Sequence, residues 1–130
     1  MILIDTHIIL WLTSEPEKLS KGAKDALDEA RKDGDGIAIS AFTLLELTIL
    51  YGLRRIQLAI SVESFLHELE RKFVVLPINA DVCARMLTLP ENYPKDPADR
   101  VIGATALVEG MSLVTADREI RRAKVVRTIW

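Results

Sequence analysis

Five acidic residues in this sequence are placed where they could act together: Asp5, Glu46, Asp96, Asp99 and Asp117. Asp5 ends an apolar run that suits a short buried strand, and Asp117 follows a second such run. In an open parallel sheet, ligands bind outside the carboxyl ends of the strands. Asp96 and Asp99 begin a helix after a proline-rich loop, and helix starts usually share that edge. We therefore expect these acids to meet.

Glu46 is unusual for a different reason. It is the only charged residue in the segment ISAFTLLELTILYGL. Charged side chains are almost never fully buried without a partner, and a solvent-facing helix surface would carry more than one charge. We therefore predict that Glu46 faces the other acids rather than solvent.

Clustering of these acids has an electrostatic cost. Two carboxylates about 5 Å apart repel by roughly 3 kcal/mol at an effective dielectric of 20, and total folding stability is only about 5–15 kcal/mol. Such a cluster persists by protonating some members or by binding a cation. Oxygen ligands without His or Cys favour Mg²⁺ or Mn²⁺, and water bound to such an ion is a usable nucleophile near neutral pH.

Each acid also has a purely structural interpretation. Asp5 and Asp99 could cap the helices that follow them, and Asp117 could open a turn. Asp96 followed by Pro97 is typical of a helix start. Residue types alone leave the structural and the chemical interpretation open.

The other reactive side chains are few. His7 could line the site, although its apolar neighbours favour a packing role, and His67 lies among charges on a helix and should be exposed. No Ser–His–Asp arrangement is recognisable. Cys83, the single cysteine, cannot form an internal disulfide, and its apolar helical context predicts a small buried side chain.

Length and composition predict one domain spanning residues 1–130. Hydrophobic residues make up 49% and charged residues 28%, a balance typical of soluble globular domains. A net charge of −2 and a pI near 5.7 argue against a chain-wide basic surface for nucleic acid. We recognise no secretion signal and no apolar run of membrane length, so we expect a cytoplasmic location without membrane association.

Strand-like apolar runs alternate with helical patterns along the chain. The strand candidates are residues 1–4, 36–40, 73–78, 112–115 and 124–129. Helices are expected at 6–12, 20–33, 41–53, 61–71, 80–89 and 97–110, and a basic turn or short helix before the last strand. Their predicted N-caps include Ser20, Ser40, Ser61 and Asn79. This alternation predicts an α/β layer fold with a mostly parallel five-stranded sheet flanked by helices.

Three segments together resemble a PIN-domain ribonuclease, and most closely the VapC-type toxins of prokaryotic toxin–antitoxin pairs: ILIDTHIILW, ISAFTLLEL and KDPADRVIGATALVEGMSLVTAD. The resemblance spans nearly the whole chain and implies a three-layer PIN-like fold. It also implies a catalytic, metal-binding quartet at Asp5, Glu46, Asp99 and Asp117. The supporting positions that it implies are Asp96, Thr115 and Thr6.

By this resemblance, the expected activity is hydrolysis of RNA phosphodiester bonds with Mg²⁺ or Mn²⁺, by a homodimer that a small VapB-type antitoxin neutralises. Basic residues available for RNA are Arg118, Arg121, Arg122, Lys124 and Arg127. Arg100 could contact phosphate or pair with an acid, and we favour the pair. A candidate antitoxin surface is the apolar surplus around the first and third helices, at Trp11, Leu12, Leu50, Leu53, Ile56 and Leu58.

Two other functions are considered. A non-catalytic PIN-like module could bind RNA or protein, but such a module has no reason to retain a complete set of repelling acids. A receiver-like phosphoacceptor domain also places acids and Mg²⁺ at strand ends. That class needs adjacent acids after the first strand and a lysine after the last, whereas Asp5 stands alone and Lys124 precedes its predicted strand.

Overall fold

A five-stranded sheet with helices on both faces forms the framework of the protein in the computed structural model, which describes residues 1–130. The strands are β1 (Ile2–Ile4), β2 (Ile37–Ser40), β3 (Val74–Leu76), β4 (Leu113–Val114) and β5 (Thr128–Ile129). Their order is β3-β2-β1-β4-β5, and every pairing is parallel. The predicted α/β class and five-stranded sheet are confirmed.

Seven α-helices connect the strands: α1 (Thr6–Ser14), α2 (Lys21–Lys32), α3 (Ala41–Gly52), α4 (Val62–Lys72), α5 (Ala80–Met86), α6 (Pro97–Glu109) and α7 (Arg118–Ala123). A short 3₁₀ helix spans Pro16–Lys18. The predicted caps are confirmed, because the side chains of Ser20, Ser40, Ser61 and Asn79 each accept a first-turn backbone N–H. Each cap satisfies a donor that the helix itself leaves unpaired.

The differences from the predicted elements lie mainly at element ends. β5 is much shorter than predicted because Lys124 adopts a left-handed conformation with φ 54°, which turns the chain before it can join the sheet. α5 ends at Met86, three residues early. Cys83 is exposed, contrary to prediction, because α5 buries the face that carries Val82.

The core consists of apolar clusters on the two faces of the sheet. Ile4 of β1 packs in the larger cluster with α1, α2 and α4, and Leu3 packs in a second cluster with α6 and α7. Burial of each such side chain contributes about 1.5–3 kcal/mol. β1 is therefore fixed from both sides, which fixes the residue that follows it.

The chain order reverses between β1 and β4. β1, β2 and β3 extend to one side of the sheet, whereas β4 and β5 extend to the other. In parallel sheets this reversal opens a crevice at the carboxyl ends of the two strands. Receiver domains have the order 2-1-3-4-5, so the receiver-like alternative is wrong. None of the helices combines the length and hydropathy that crossing a membrane requires.

Candidate active site

Asp5 follows β1 directly at the crevice and is only 4% exposed. Its Oδ1 accepts the backbone N–H of Thr6 at 2.8 Å and so caps α1. Its Oδ2 accepts the hydroxyl of Thr115 at 2.7 Å. Because Thr115 follows β4, this hydrogen bond joins the ends of the two strands. Asp5 is thus both a helix cap and an acid at the crevice.

Asp117 is held on the β4 side of the same crevice. Its backbone N–H donates to Thr115 Oγ1 at 3.1 Å. Its Oδ1 accepts the N–H groups of Glu119 and Ile120 at 2.9 and 3.0 Å, which caps α7. Its second carboxylate oxygen receives no hydrogen bond from the protein and is available to a ligand.

The start of α6 follows the predicted pattern. Pro97 occupies the first helical position, and Asp96 Oδ1 accepts the N–H groups of Ala98 and Asp99 at 2.9 and 3.3 Å. Asp99 is not a cap. It lies in the first turn, half-buried, and its carboxyl group accepts no hydrogen bond from the protein.

The electrostatics of Asp99 indicate that the other four acids lie in its neighbourhood. Its pKa is raised to about 7, first by burial and then by the negative charges of Asp5, Asp96, Asp117 and Glu46. A carboxyl group feels such repulsion only from charges nearby. The other four acids therefore lie near enough to Asp99 for their charges to act on its carboxyl group.

Glu46 reaches this cluster from α3. Burial raises its pKa, a hydrogen bond from the Thr6 side chain lowers it, and the charges of Asp5 and Asp96 raise it again. Thr6 Oγ1 lies 3.0 Å from Thr43 Oγ1, and both threonines are buried. Thr43 was not predicted from the sequence, although its position three residues before Glu46 on an apolar helix was a usable signal.

Tyr93 anchors the proline-rich loop to α6. It is 1% exposed, and its hydroxyl donates to the backbone carbonyl of Asp99 at 2.9 Å. A Cβ atom at Gly103 would lie 2.1 Å from this hydroxyl, so only glycine leaves room for the ring. Burial, followed by the charge of Asp99, raises the pKa of Tyr93, which keeps the hydroxyl protonated. The contact of Tyr93 with Asp99 and Gly103 was not predicted from the sequence either.

His7 lines the crevice and also packs against its own helix. Its Nε2 accepts the backbone N–H of Ala116 at 3.1 Å, and its Nδ1 lies 3.5 Å from Asp5 Oδ2. The ring centroid is 4.9 Å from that of Trp11. His67, by contrast, is exposed beside Glu63 and Glu70, as expected.

Basic residues lie on α7 and on α6. A recess of about 390 Å³ is lined by Arg118, Arg121, Arg122 and Lys124, and none of the four forms an ion pair. Arg127 donates instead to the carbonyl of Gly110 at 2.8 Å. Arg100 donates to the carbonyl of Met86 at 3.4 Å and forms no ion pair, so the pairing that we favoured is wrong.

The chemistry of this donor set fits a hard divalent cation. Carboxylate and hydroxyl oxygens are the ligands that Mg²⁺ and Mn²⁺ prefer, and a cation would compensate the repulsion that, after burial, raises the pKa of Asp99. The side chains are not drawn together around one point, since no group of three or more acidic, His or Cys side chains has metal-binding spacing. Mutual repulsion of carboxylates favours such a spread.

Two features can be compared with known families: the all-parallel sheet and the acids at its switch point. The sequence model of the PIN domain family matches residues 2–126. The chain therefore belongs to the PIN domain family, and its relatives place it among the VapC-type members.

The relatives agree in sequence and in fold. The chain is 40% identical over 131 aligned residues to Ribonuclease VapC22 of Mycobacterium tuberculosis, covering 99% of this chain and 98% of that protein. The fold matches VapBC2 from Rickettsia felis bound to a promoter DNA fragment, with a TM-score of 0.72, 20% identity and coverage of 98% and 97%. DNA-bound VapBC from Salmonella typhimurium gives a TM-score of 0.71 with the same identity and coverage.

Proposed function

We propose that this protein is a VapC-type toxin that hydrolyses RNA phosphodiester bonds with the help of Mg²⁺ or Mn²⁺. The observation that carries the proposal is the placement of acids at the β1–β4 switch point, where burial and then their charges raise the pKa of Asp99. The 40% identity to a mycobacterial protein named as a ribonuclease supports the same reaction class.

The groups that would hold the ion are the carboxylates of Asp5, Glu46, Asp99 and Asp117. A bound Mg²⁺ or Mn²⁺ would supply an activated water and compensate the charge of the phosphate. Thr115 orients Asp5 through its hydroxyl. Asp99, with a pKa of about 7, gives up its proton near neutral pH and so becomes a ligand where the toxin would work.

The RNA strand needs cations that the acidic site does not provide. The unpaired side chains of Arg118, Arg121 and Arg122 lie on the helix that Asp117 caps. We propose that they bind backbone phosphates next to the scissile one, with Lys124 at the end of the same recess. Arg100 is retained as a weaker candidate because its guanidinium is partly committed to Met86.

The test of the reaction is RNA cleavage by wild-type protein and by Asp99→Asn, each with Mg²⁺, Mn²⁺ or a chelator. We expect cleavage by the wild type only with metal, and at least about a 100-fold loss in the variant, since a preorganised charged group is typically worth that much. Asp25→Asn is the matched control, because Asp25 is an exposed acid on α2 that pairs only with Lys21.

Cleavage by Asp99→Asn at the wild-type rate would contradict the assignment. A wild-type protein that binds RNA but neither cleaves it nor takes up Mn²⁺ in calorimetry would favour the non-catalytic module instead.

We further propose that a VapB-type antitoxin occupies a cleft of about 720 Å³ between α1 and α4. Leu12 and Leu58, two members of the predicted antitoxin surface, line this cleft together with Ile60, which is 47% exposed. Other members of that surface do not line the cleft. Trp11 and Ile56 pack against the core, as Leu12 and Leu58 also do, and Leu53 is 59% exposed elsewhere.

Co-expression with a candidate VapB-type antitoxin tests this partner. Ile60→Asp should weaken co-purification at least about tenfold because it puts a charge into an apolar contact, whereas Leu87→Asp, at a side chain 90% exposed on another face, should not. Equal capture of both variants would exclude the cleft. The proposed homodimer is tested by light scattering, and a monomer at high concentration would contradict it.

A further inference from the structure

The edge of the sheet that carries Asp5 and Asp117, together with Glu46, Asp96 and Asp99 from the neighbouring helices, is called the acidic edge. His7 lies at this edge and has no part in the proposed chemistry. Its Nε2 accepts the backbone N–H of Ala116 at 3.1 Å, although the two residues are 109 positions apart. Ala116 lies between Thr115 and Asp117, the two residues of the β4 side that the site depends on. The histidine is therefore placed to act on that segment.

The sheet itself does not hold this segment against β1. The register of β1 and β4 ends with Ile4 opposite Val114, and the last backbone hydrogen bond runs from Asp5 N to Val114 O at 3.0 Å. Beyond Val114, two side-chain contacts replace the ladder: Thr115 with Asp5, and Ala116 with His7. Each comes from the chain immediately after β1.

The ring of His7 is itself well oriented. It packs on Trp11 at 4.9 Å between centroids, and Trp11 packs on Trp130 at 5.8 Å. Because Nε2 accepts the amide proton, the proton of the neutral ring is on Nδ1, which is the nitrogen that faces Asp5 Oδ2 at 3.5 Å. One ring thus contacts both sides of the crevice.

We propose that His7 is a positioning residue that sets the separation of Asp5 and Asp117 by holding the amide of Ala116. The inference rests on the proposed metal site, because the separation matters if both carboxylates ligate the same ion. Groups that orient metal ligands typically change metal affinity by about 10–100-fold when they are removed.

Two variants separate the hydrogen bond from the packing. His7→Gln keeps an acceptor near the position of Nε2 but has no ring, whereas His7→Phe keeps a ring against Trp11 but has no acceptor. We expect His7→Phe to weaken Mn²⁺ binding about tenfold in calorimetry and to speed amide hydrogen exchange at Ala116 and Asp117. His7→Gln should remain close to the wild type in both measurements.

If His7→Phe behaves like the wild type and His7→Gln is impaired, packing of the ring rather than the hydrogen bond holds this segment, and the proposal is overturned. The proposal is also overturned if both variants are unchanged. If wild-type protein binds no Mn²⁺, the metal site is wrong, and the exchange rate at Ala116 still decides whether His7 holds this segment. If His7→Phe does not fold, His7→Leu removes the acceptor with a smaller apolar side chain and takes its place.

Discussion

The acidic edge has two sides that are built differently. On the sheet side, Asp5 and Asp117 follow strands, and each accepts two hydrogen bonds from the protein. On the helix side, Glu46 and Asp99 project from α3 and α6 into partly buried positions, and burial raises the pKa of both. Negative charge is compensated by donors on the sheet side and is left largely uncompensated on the helix side.

This difference suggests a division of roles. Hydrogen-bonded carboxylates are held in one orientation, so the sheet side would determine the geometry offered to a ligand. Carboxyl groups that repel one another gain most from a cation, so the helix side would determine how strongly and at what pH the proposed metal binds. Each of the following predictions tests one part of that division.

The largest effect should be the pH dependence of metal binding. Asp99 has a pKa of about 7 and must lose its proton to ligate an ion. For one proton, apparent Mn²⁺ affinity should approach a tenfold loss per pH unit well below that value, which amounts to about 50-fold from pH 7 to 5. Calorimetry across this range measures it. Asp99→Asn should flatten the profile, and a flat wild-type profile would place the titrating group elsewhere.

A second prediction concerns how the helix side is positioned. The Tyr93 hydroxyl donates to the backbone carbonyl of Asp99, and the same tyrosine packs against Gly103. A Cβ atom at Gly103 would lie 2.1 Å from the tyrosine oxygen. Gly103→Ala should therefore lower the free energy of unfolding by about 2 kcal/mol, since overpacking outweighs the helix propensity of alanine. Urea denaturation measures this.

The control for Gly103→Ala is Gly52→Ala at the end of α3, where a Cβ atom meets nothing within 4 Å. Without a clash, alanine should stabilise this helix by up to about 1 kcal/mol. If Gly103→Ala also raised the free energy of unfolding, Tyr93 would be able to move aside, and the helix side would lack this packing constraint.

A third prediction is that neutralising an acid has opposite effects on the two sides. In the folded state the pKa of Asp99 is about 7 rather than 3.8, so the native state binds this proton more tightly than the unfolded state. That stabilisation is complete below about 3.8 and is lost as the pH rises to 7. At pH 8, Asp99→Asn should thus raise stability by on the order of 1–2 kcal/mol, less than the full shift because the side chain is partly exposed.

Asp5→Asn should instead lower the free energy of unfolding by about 1–3 kcal/mol, because an amide cannot accept both buried hydrogen bonds. Thermal denaturation with chelator at pH 8 compares the two variants, and the advantage of Asp99→Asn should shrink toward pH 4. Destabilisation by both variants at pH 8 would contradict the view that only the helix side carries uncompensated charge.

The acids could be singled out from the sequence because their positions depend on local patterns. Asp5 and Asp117 follow short apolar runs, and Asp96 precedes a proline, so each position follows from strand ends and helix caps. Glu46 was found as a single charge in an apolar helix. The parallel order of the sheet then brings these local features to one edge.

The contacts that hold those acids could not be predicted in the same way. The bond from Ala116 to His7 joins residues 109 positions apart, and Gly103 fits Tyr93 only because a loop folds back on α6. In neither pair does the local sequence around one residue predict which residue it contacts. The wrong expectations for Cys83 and Arg100 have the same origin, since burial and pairing depend on which helix faces which neighbour.

The smallest effect is expected at Thr43, which supports the helix side through one hydroxyl group. Thr43 Oγ1 lies 3.0 Å from Thr6 Oγ1, and the Thr6 side chain in turn lowers the pKa of Glu46. Thr43→Val keeps the shape but removes this partner, so it should cost about 1 kcal/mol of stability and weaken Mn²⁺ binding by about two- to threefold.

Thr48→Val on the same helix is the control for Thr43→Val, because the Thr48 hydroxyl is exposed and donates only to Leu44 O. Calorimetry and urea denaturation compare the pair. If both variants bind Mn²⁺ alike, hydrogen bonds contribute nothing to the placement of Glu46. The helix side would then be positioned by packing alone, and the contrast with the hydrogen-bonded sheet side would be sharper than the structure suggests.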